Sequence, residues 1–244
     1  MEERRWIVNE GKQEEIEVEW QGSRRRYRRL GIATPVITAG DDLRSVVQAW
    51  ALPLLEEGDI LFFSEKAVAC AQGRAIPMEE IKPGPLARLL CRFVLKTPYG
   101  IGLSMPETME MALRECGRAR ILLAAAVSAV GKLLGRRGWF YQVAGYRAAS
   151  IDGPCGCTLP PYNRCVVLGP LHPDETAAMI ARAAGRPAAI VDINDLGGEI
   201  LGVSGPSLNR ELLRRILRDN PLGQCSEQTP MGIIRPVSSP KSRL

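Results

Sequence analysis

Histidine occurs once in the 244 residues, at His172, and no G-x-S-x-G sequence is present. A Ser-His-Asp hydrolase would have to be built on that single imidazole without a nucleophile elbow. Aromatic residues make up only 5% of the chain, too few to interleave with basic side chains as nucleic-acid surfaces do. The longest apolar run, Ile121–Val130, is too short to span a bilayer and meets Gly131 and Lys132. No secretory signal pattern is visible, since Met1–Arg5 runs straight into polar sequence. The seven cysteines are irregularly spaced and form no secreted disulfide framework. Cys155-x-Cys157 with Cys165 lacks both the C-x-x-C spacing and the second pair of a structural zinc site. These absences lead to the expectation of a cytoplasmic protein without membrane or nucleic-acid partners.

What is present is an ordinary globular balance, 45% hydrophobic and 24% charged with a net charge of +5. The length suits one large domain or two interleaved small ones. Arg24, Arg25, Arg26, Arg28 and Arg29 concentrate the positive charge. A solvated strand edge, protected from aggregation by its charges, accounts for them better than an RNA- or lipid-binding patch.

Alternating residues over Glu14–Trp20 predict a half-buried strand, with Gln21–Ser23 turning into a partner over Arg24–Ile32. Asp41 or Asp42 is placed to cap a helix over Leu43–Leu55 that Gly58–Asp59 ends. Ile60–Phe63 reads as a buried strand, with Ala67–Ala71 continuing extended. Pro85–Lys96 and Glu107–Cys116 read as helices, Ala119–Leu134 as either state, and Trp139–Ala144 and Arg164–Leu168 as strands around a loop from Ile151 to Asn163. Asp174–Ala184 is a helix stopped by Gly185, followed by strands at Ala188–Ile193 and Ile200–Val203. A helix over Leu208–Leu217, capped by Ser207, and a strand at Gly232–Pro236 complete the pattern, leaving Val237–Leu244 as a frayed tail. Strand–helix–strand order of this kind collects ligands where strand ends meet polar loops.

Three segments carry candidate chemistry. Asp192, Asn194 and Asp195 close an apolar strand before Gly197 and Gly198, offering hard oxygen donors for Mg²⁺ or Mn²⁺; the competing reading is an Asx-type turn with no ligand. Gly223-Gln224-Cys225-Ser226-Glu227-Gln228-Thr229-Pro230 is either a polar surface turn or a site for phosphates, with one carboxylate for a metal. Ser64-Glu65-Lys66 follows a strand, where Lys66 can neutralise a phosphate or simply pair with Glu65 at the surface. His172 is better placed to pack or cap than to catalyse.

Taken in order, these segments resemble the coenzyme F-420 gamma-glutamyl ligase family. Thr34-Pro35-Val36-Ile37 and Gly40-Asp41-Asp42-Leu43 are similar to its opening loop and helix. Gly58-Asp59-Ile60-Leu61, Lys66 and Ala71-Gln72-Gly73-Arg74 resemble its "GD-strand, K, AEGR" segment, and Ala144-Gly145 the start of its "AGID" metal loop. Pro170 to Ala177 resembles its "P-x-DPD-x-SA" helix start, Asp195-Leu196-Gly197-Gly198 its "DT-x-G" metal loop, and Leu222 to Arg235 its Gly-rich nucleotide loop and following strand. Departures accompany the likeness. Tyr146-Arg147 stands where the first metal loop carries aspartate, Ser150 where an asparagine follows, Cys70 at a second lysine, Leu196 at the threonine, and Gln224 at a metal-binding glutamate.

The resemblance implies an α+β fold of mixed sheets with flanking helices, the gamma-glutamyl ligase-like fold, paired as an intertwined homodimer. It implies a GTP- (or ATP-) and Mg²⁺- or Mn²⁺-dependent ligase joining glutamate, or a similar amino acid, to a carboxylated small-molecule acceptor. Asp195, Asp192, Asn194 and Gln224 are then expected at the metal. Thr34, Pro35, Val36, Ile37, Glu65, Lys66, Ser150, Gly223, Gln224, Ser226, Glu227, Gln228 and Thr229 are expected at the nucleotide. Lys66 and Arg147 are the expected catalytic residues, Arg147 on a substrate carboxylate. The expected boundaries are a basic strand pair over 1–30, the ligase-like domain over 31–236 and a tail over 237–244. The alternative is a non-catalytic or regulatory small-molecule-binding homologue that has lost part of the metal site.

Overall fold

A computed structural model describes residues 6–94, 102–136, 138–156, 158–195 and 197–237. Expectations that touch Met1–Arg5, Lys96, Cys157, Leu196 and 238–244 lie outside these. Two compact units make up the chain. The first joins Met1–Gly73 to Pro170–Leu244, and the second is Arg74–Gly169.

In the first unit, β1 (Trp6–Ile7), β2 (Glu15–Trp20), β3 (Ser23–Ile32), β4 (Ile60–Ser64), β7 (Ala188–Asn194), β8 (Gly197–Val203) and β9 (Met231–Val237) form one seven-stranded mixed sheet. Its order is β1-β3-β9-β4-β7-β8, with β2 also paired to β3. Only β4 and β7 run parallel; the other pairs are antiparallel. The class is therefore α+β rather than a doubly wound parallel sheet. Along β2 the alternation buries Ile16 and Val18 and exposes the glutamates, as a one-sided strand must. The turn at Gln21-Gly22 has both residues at positive φ, 51° and 73°, which matches the twist of a tight hairpin.

Period-two alternation also divides the core. Leu61, Phe63, Ala188, Ile190, Met231 and Ile233 face a cluster completed by α1 (Leu43–Val46), α2 (Glu65–Ala71) and α8 (Pro173–Ala184). Phe62, Ala189, Val191 and Ile234 face the opposite cluster with Ile16, Val18 and α9 (Arg210–Ile216). Phe62 and Phe63 are fully buried, one on each side. Burial of each contributes roughly 1.5–3 kcal/mol.

Several expectations change at this level. The arginine-rich strand is not an edge: β3 lies between β9 and the β1/β2 pair. Arg29 is 1% exposed, because its guanidinium is held bidentately by Asp219 and bonds the carbonyl of Ile216. Arg28 reaches Glu14 and Glu15, so the second half of the cluster is held within the fold, while Arg24 and Arg25 stay exposed. Ala67–Ala71 is helix α2 rather than extended chain, since Glu65 starts a turn directly after Ser64. Asp42, not Asp41, caps α1, which passes through a π turn at Val47–Ala51 and a 3₁₀ turn at Leu52–Leu54. α9 is capped by the Asn209 side chain on the Leu212 N–H, not by Ser207. Pro173 opens α8 and Gly185, at φ 62°, closes it.

The second unit holds α3 (Pro85–Leu90), α4 (Pro106–Cys116), α5 (Arg118–Leu133), α6 (Trp139–Ala144), α7 (Tyr146–Ala149) and the small sheet of β5 (Ala75–Pro77) with β6 (Cys165–Val167). Trp139–Ala144 is thus helical. Its aromatic composition favours strand, but helix α6 packs closely on α5, with Trp139 against Gly131. Met109, Ile121, Ile151 and Val166 centre this unit's own core.

Each unit closes its own boundary. In the first, the Gln72 amide donates to the Leu171 carbonyl at 3.0 Å and accepts from the Leu171 N–H at 2.7 Å. In the second, the Leu168 N–H donates to the Arg74 carbonyl at 3.0 Å, and Arg74 Nε donates to the Gly169 carbonyl at 2.6 Å. Among the described residues no helix is long and apolar enough to cross a membrane.

Candidate functional site

Strand register brings four polar segments to one edge of the large sheet. β4 and β7 run parallel, Ser64 opposite Val191; β4 passes there into Glu65-Lys66, while β7 continues through Asp192 and Asn194, paired with β8, to Asp195. β9 enters there, with Met231 paired to Phe63 and to Ile32, so the Gly223–Pro230 loop and the Thr34–Ile37 loop adjoin it as well. The Ser64 N–H donates to the Pro230 carbonyl at 2.9 Å. The carboxyl ends of parallel strands are where free backbone groups and loop side chains gather around ligands.

The loops are tied to one another. The Gln228 amide donates to the Thr34 carbonyl at 2.7 Å, and the Thr34 N–H returns a bond to the Gln228 carbonyl at 3.3 Å. The Asp195 N–H donates to Gln224 Oε1 at 3.1 Å, so the two loops expected to converge do stand side by side. Asn220, 2% exposed and at φ 51°, aims its amide at Gln224 Oε1 (3.2 Å), the Gly223 carbonyl (2.7 Å) and Asp195 Oδ1 (3.4 Å).

Glu227 turns back into its own loop. Its carboxylate accepts from the Gln224 N–H at 3.3 Å and the Cys225 N–H at 2.7 Å. A Cβ at Gly223, whose φ is 83°, would run into that carboxylate. Glycine is therefore required there for the carboxylate to fold over the turn. Gln224, Ser226, Glu227 and Gln228 are exposed, while Thr229 is buried and donates to the Leu222 carbonyl. Glu65 is buried and Lys66 exposed, so the neighbours point different ways. Asp192 and Asn194 are half-buried on β7.

A residue the sequence reading passed over completes the junction. Lys12 Nζ lies 2.6 Å from Asp195 Oδ1, with 16% of the lysine side chain exposed against 53% of the aspartate's. Its segment is held by Asn9, which is 7% exposed and donates to the Pro221 carbonyl (3.0 Å) and Thr229 Oγ1 (3.1 Å). Asn9-Glu10-Gly11-Lys12 carries only turn composition, and 183 positions separate Lys12 from Asp195, so no local signal joins them. Asn220, followed by Pro221 and Gly223, likewise carries only turn composition.

Arg147 and Ser150 belong to the second unit. Arg147 is exposed on α7. The Ser150 hydroxyl is buried and donates to the Tyr146 carbonyl at 3.0 Å, turned towards its own helix end. Burial pushes the Cys116 thiol above its ordinary range, against the opposing pull of Arg120 and Arg147.

The expected divalent metal is tested by this donor set. Asp195 Oδ1 is taken by an ammonium, Gln224 Oε1 by two N–H groups and Glu227 by its loop. Among the described residues no three His, Cys, Asp or Glu side chains converge as ligands. Hard cations seek several oxygens carrying net negative charge, and the arrangement does not fit one.

No curated protein matches the chain. The family model described as F420-0:Gamma-glutamyl ligase matches residues 31–186, which takes in the Thr34 loop, Lys66, Arg147 and α8 and stops short of the Asp192 and Gly223 loops. With more than half the chain covered, and the sheet edge assembled from segments inside and beyond that match, the chain belongs to the F420-0:gamma-glutamyl ligase family.

Proposed function

We propose that this protein is a nucleotide-dependent ligase that joins glutamate, or a similar amino acid, to a carboxylated small molecule. The convergence of Thr34–Ile37, Glu65-Lys66, Asp192–Asp195 and Gly223–Thr229 at one sheet edge carries this reading, together with the family's ligase chemistry.

A carboxylate resists condensation with an amine in water because its carbon is a poor electrophile and hydroxide a poor leaving group. Phosphorylation removes both obstacles. A carboxylate oxygen attacks the terminal phosphorus of GTP, the bond to the bridging oxygen breaks, and the nucleoside diphosphate leaves. The amine then attacks the acyl carbon of the acyl phosphate; inorganic phosphate departs and the ammonium proton is lost. The protein has to align these groups and balance charge developing on phosphate oxygens. Lys66, exposed beside the loops, supplies positive charge to the transferred phosphate. Gln224, Ser226, Gln228 and the Thr34 loop offer amide, hydroxyl and backbone groups to the nucleotide. Arg147 takes a substrate carboxylate bidentately. We extend the family reading to a homodimer acting in the cytoplasm.

Nucleotide turnover that requires both glutamate and a carboxylated acceptor, measured as phosphate release, supports this function. Turnover indifferent to both would sink it. A second reading, a binding protein without turnover, draws on one observation: Asp195 is already neutralised by Lys12. Saturable GTP binding in calorimetry with no phosphate release under any substrate combination would favour it.

A further inference from the structure

The Asp195 carboxylate has its cation already, and that cation is covalently part of the chain. We propose that the Lys12 ammonium takes the place of a divalent metal at Asp195, so that this junction receives its anionic ligand without Mg²⁺ or Mn²⁺. The inference rests on the ligase reading only for the identity of the anion.

An ordinary surface lysine paired with an aspartate would carry no such claim, because exposed pairs are weak and mobile. Lys12 differs in being held from both sides. Upstream, Asn9 is buried, bonded to Pro221 and Thr229, and accepts the Lys12 N–H at its carbonyl at 3.0 Å. Downstream, the Gln13 carbonyl accepts from the buried guanidinium of Arg29, and the Glu14 carbonyl accepts the Arg29 N–H at 2.7 Å. With its backbone fixed and its side chain mostly covered, the ammonium has little freedom to lose on engaging Asp195.

The surroundings fit a monovalent internal cation. Gln224, in the position where the resemblance expects a glutamate, brings a neutral carbonyl, and its oxygen is spent on the Asp195 N–H and the Asn220 amide. The Asp195 carboxylate therefore faces the Lys12 ammonium at 2.6 Å with a neutral amide, not a second carboxylate, at position 224. Bringing in a divalent ion would leave an ammonium and a metal on the same carboxylate, and like charges that close repel. The segment that supplies Lys12 lies before residue 31, outside the family match.

The test needs no substrate. Mn²⁺ is titrated into the purified full-length protein and free Mn²⁺ is followed by electron paramagnetic resonance. The wild-type protein is expected to show no Mn²⁺ site that depends on Asp195. Lys12→Met is expected to create one, at least about tenfold tighter than any in the wild type, which Asp195→Asn then removes. Wild-type Mn²⁺ binding that Asp195→Asn abolishes overturns the proposal, and so does a folded Lys12→Met protein that gains no site. Circular dichroism checks folding, and if Lys12→Met does not fold, the wild type against Asp195→Asn decides alone. In a separate arm, calorimetry with GTP in excess chelator should give an affinity within about twofold of that with Mn²⁺; a loss of about tenfold or more also overturns it. GTP that fails to bind in either condition counts against the ligase reading, while the Mn²⁺ titration still decides the role of Lys12.

Discussion

The backbone N–H of Asp195 donates to the side-chain carbonyl of Gln224 at 3.1 Å, joining the end of one strand to a loop 29 positions further on. Because the bond uses Gln224 Oε1, the Gln224 NH₂ remains on the opposite side of the amide. One side chain thus fixes the spacing of two loops. Gln224→Ala should loosen both and weaken GTP binding by roughly tenfold, the equivalent of about 1.4 kcal/mol for a hydrogen bond lost with its neighbour left unsatisfied. Calorimetry on a variant with unchanged thermal midpoint measures this.

Gly223→Ala should be worse for the loop than for the fold. The new Cβ meets the Glu227 carboxylate while φ is 83°, a combination expected to cost about 1–3 kcal/mol. The carboxylate must then leave the Gln224 and Cys225 N–H groups. A fall in GTP affinity larger than the fall in thermal stability is the expected pattern.

Asp59 and Arg235 test the fold itself. Asp59 is fully buried, and Arg235 donates to both of its oxygens, at 2.9 and 2.8 Å, while also reaching Glu56 and the Leu54 carbonyl. The bond to Asp59 holds the Arg235 guanidinium above its ordinary range. Asp59→Ala leaves a cation facing a hole and should destabilise by about 3–5 kcal/mol. Urea unfolding followed by circular dichroism reads the change.

Acid sensitivity should map to Glu110 in the second unit. The Gly84 N–H, at 3.0 Å, is the main reason its carboxyl sits below the usual range, and the Arg114 guanidinium adds to the effect. A carboxyl depressed by folding stabilises the protein above the unfolded-state value, and the contribution is lost as pH falls through the folded one. Glu110→Gln should therefore lower stability near neutral pH, with the difference from wild type vanishing in acid. Denaturation midpoints across that range provide the check.

If the protein is a ligase, Lys66 and Arg147 should fail differently. Lys66→Met removes charge from the phosphate path and should lower kcat about a hundredfold. Arg147→Lys keeps charge but loses the fork, so KM for the carboxylated acceptor should rise with kcat little changed. Steady-state phosphate release separates the two.

Much of the large sheet could be read from alternation. Glu15–Trp20, Ile60–Ser64 and Ala188–Asn194 all fall where period two or apolar runs placed strands. Local signals misled where tertiary packing overrides propensity. Trp139–Ala144 has strand-forming side chains yet packs as a helix, and Arg28 and Arg29 of β3 looked as wet as Arg24 and Arg25 because the partners that hold them, Glu14, Glu15 and Asp219, come from elsewhere in the fold. The site divided along the same line. Loop composition marked the segments around Asp195 and Gln224, whereas Lys12, Asn9 and Asn220 do their work through contacts that no spacing encodes.

The reciprocal amide clasp between Gln72 and Leu171 means that the first unit seals the gap from which residues 74–169 are looped out. Chains with exposed, mutually anchored ends tolerate excision and grafting, so a truncated gene joining Gly73 to Pro170 through a short glycine linker should still yield a cooperatively melting sheet protein.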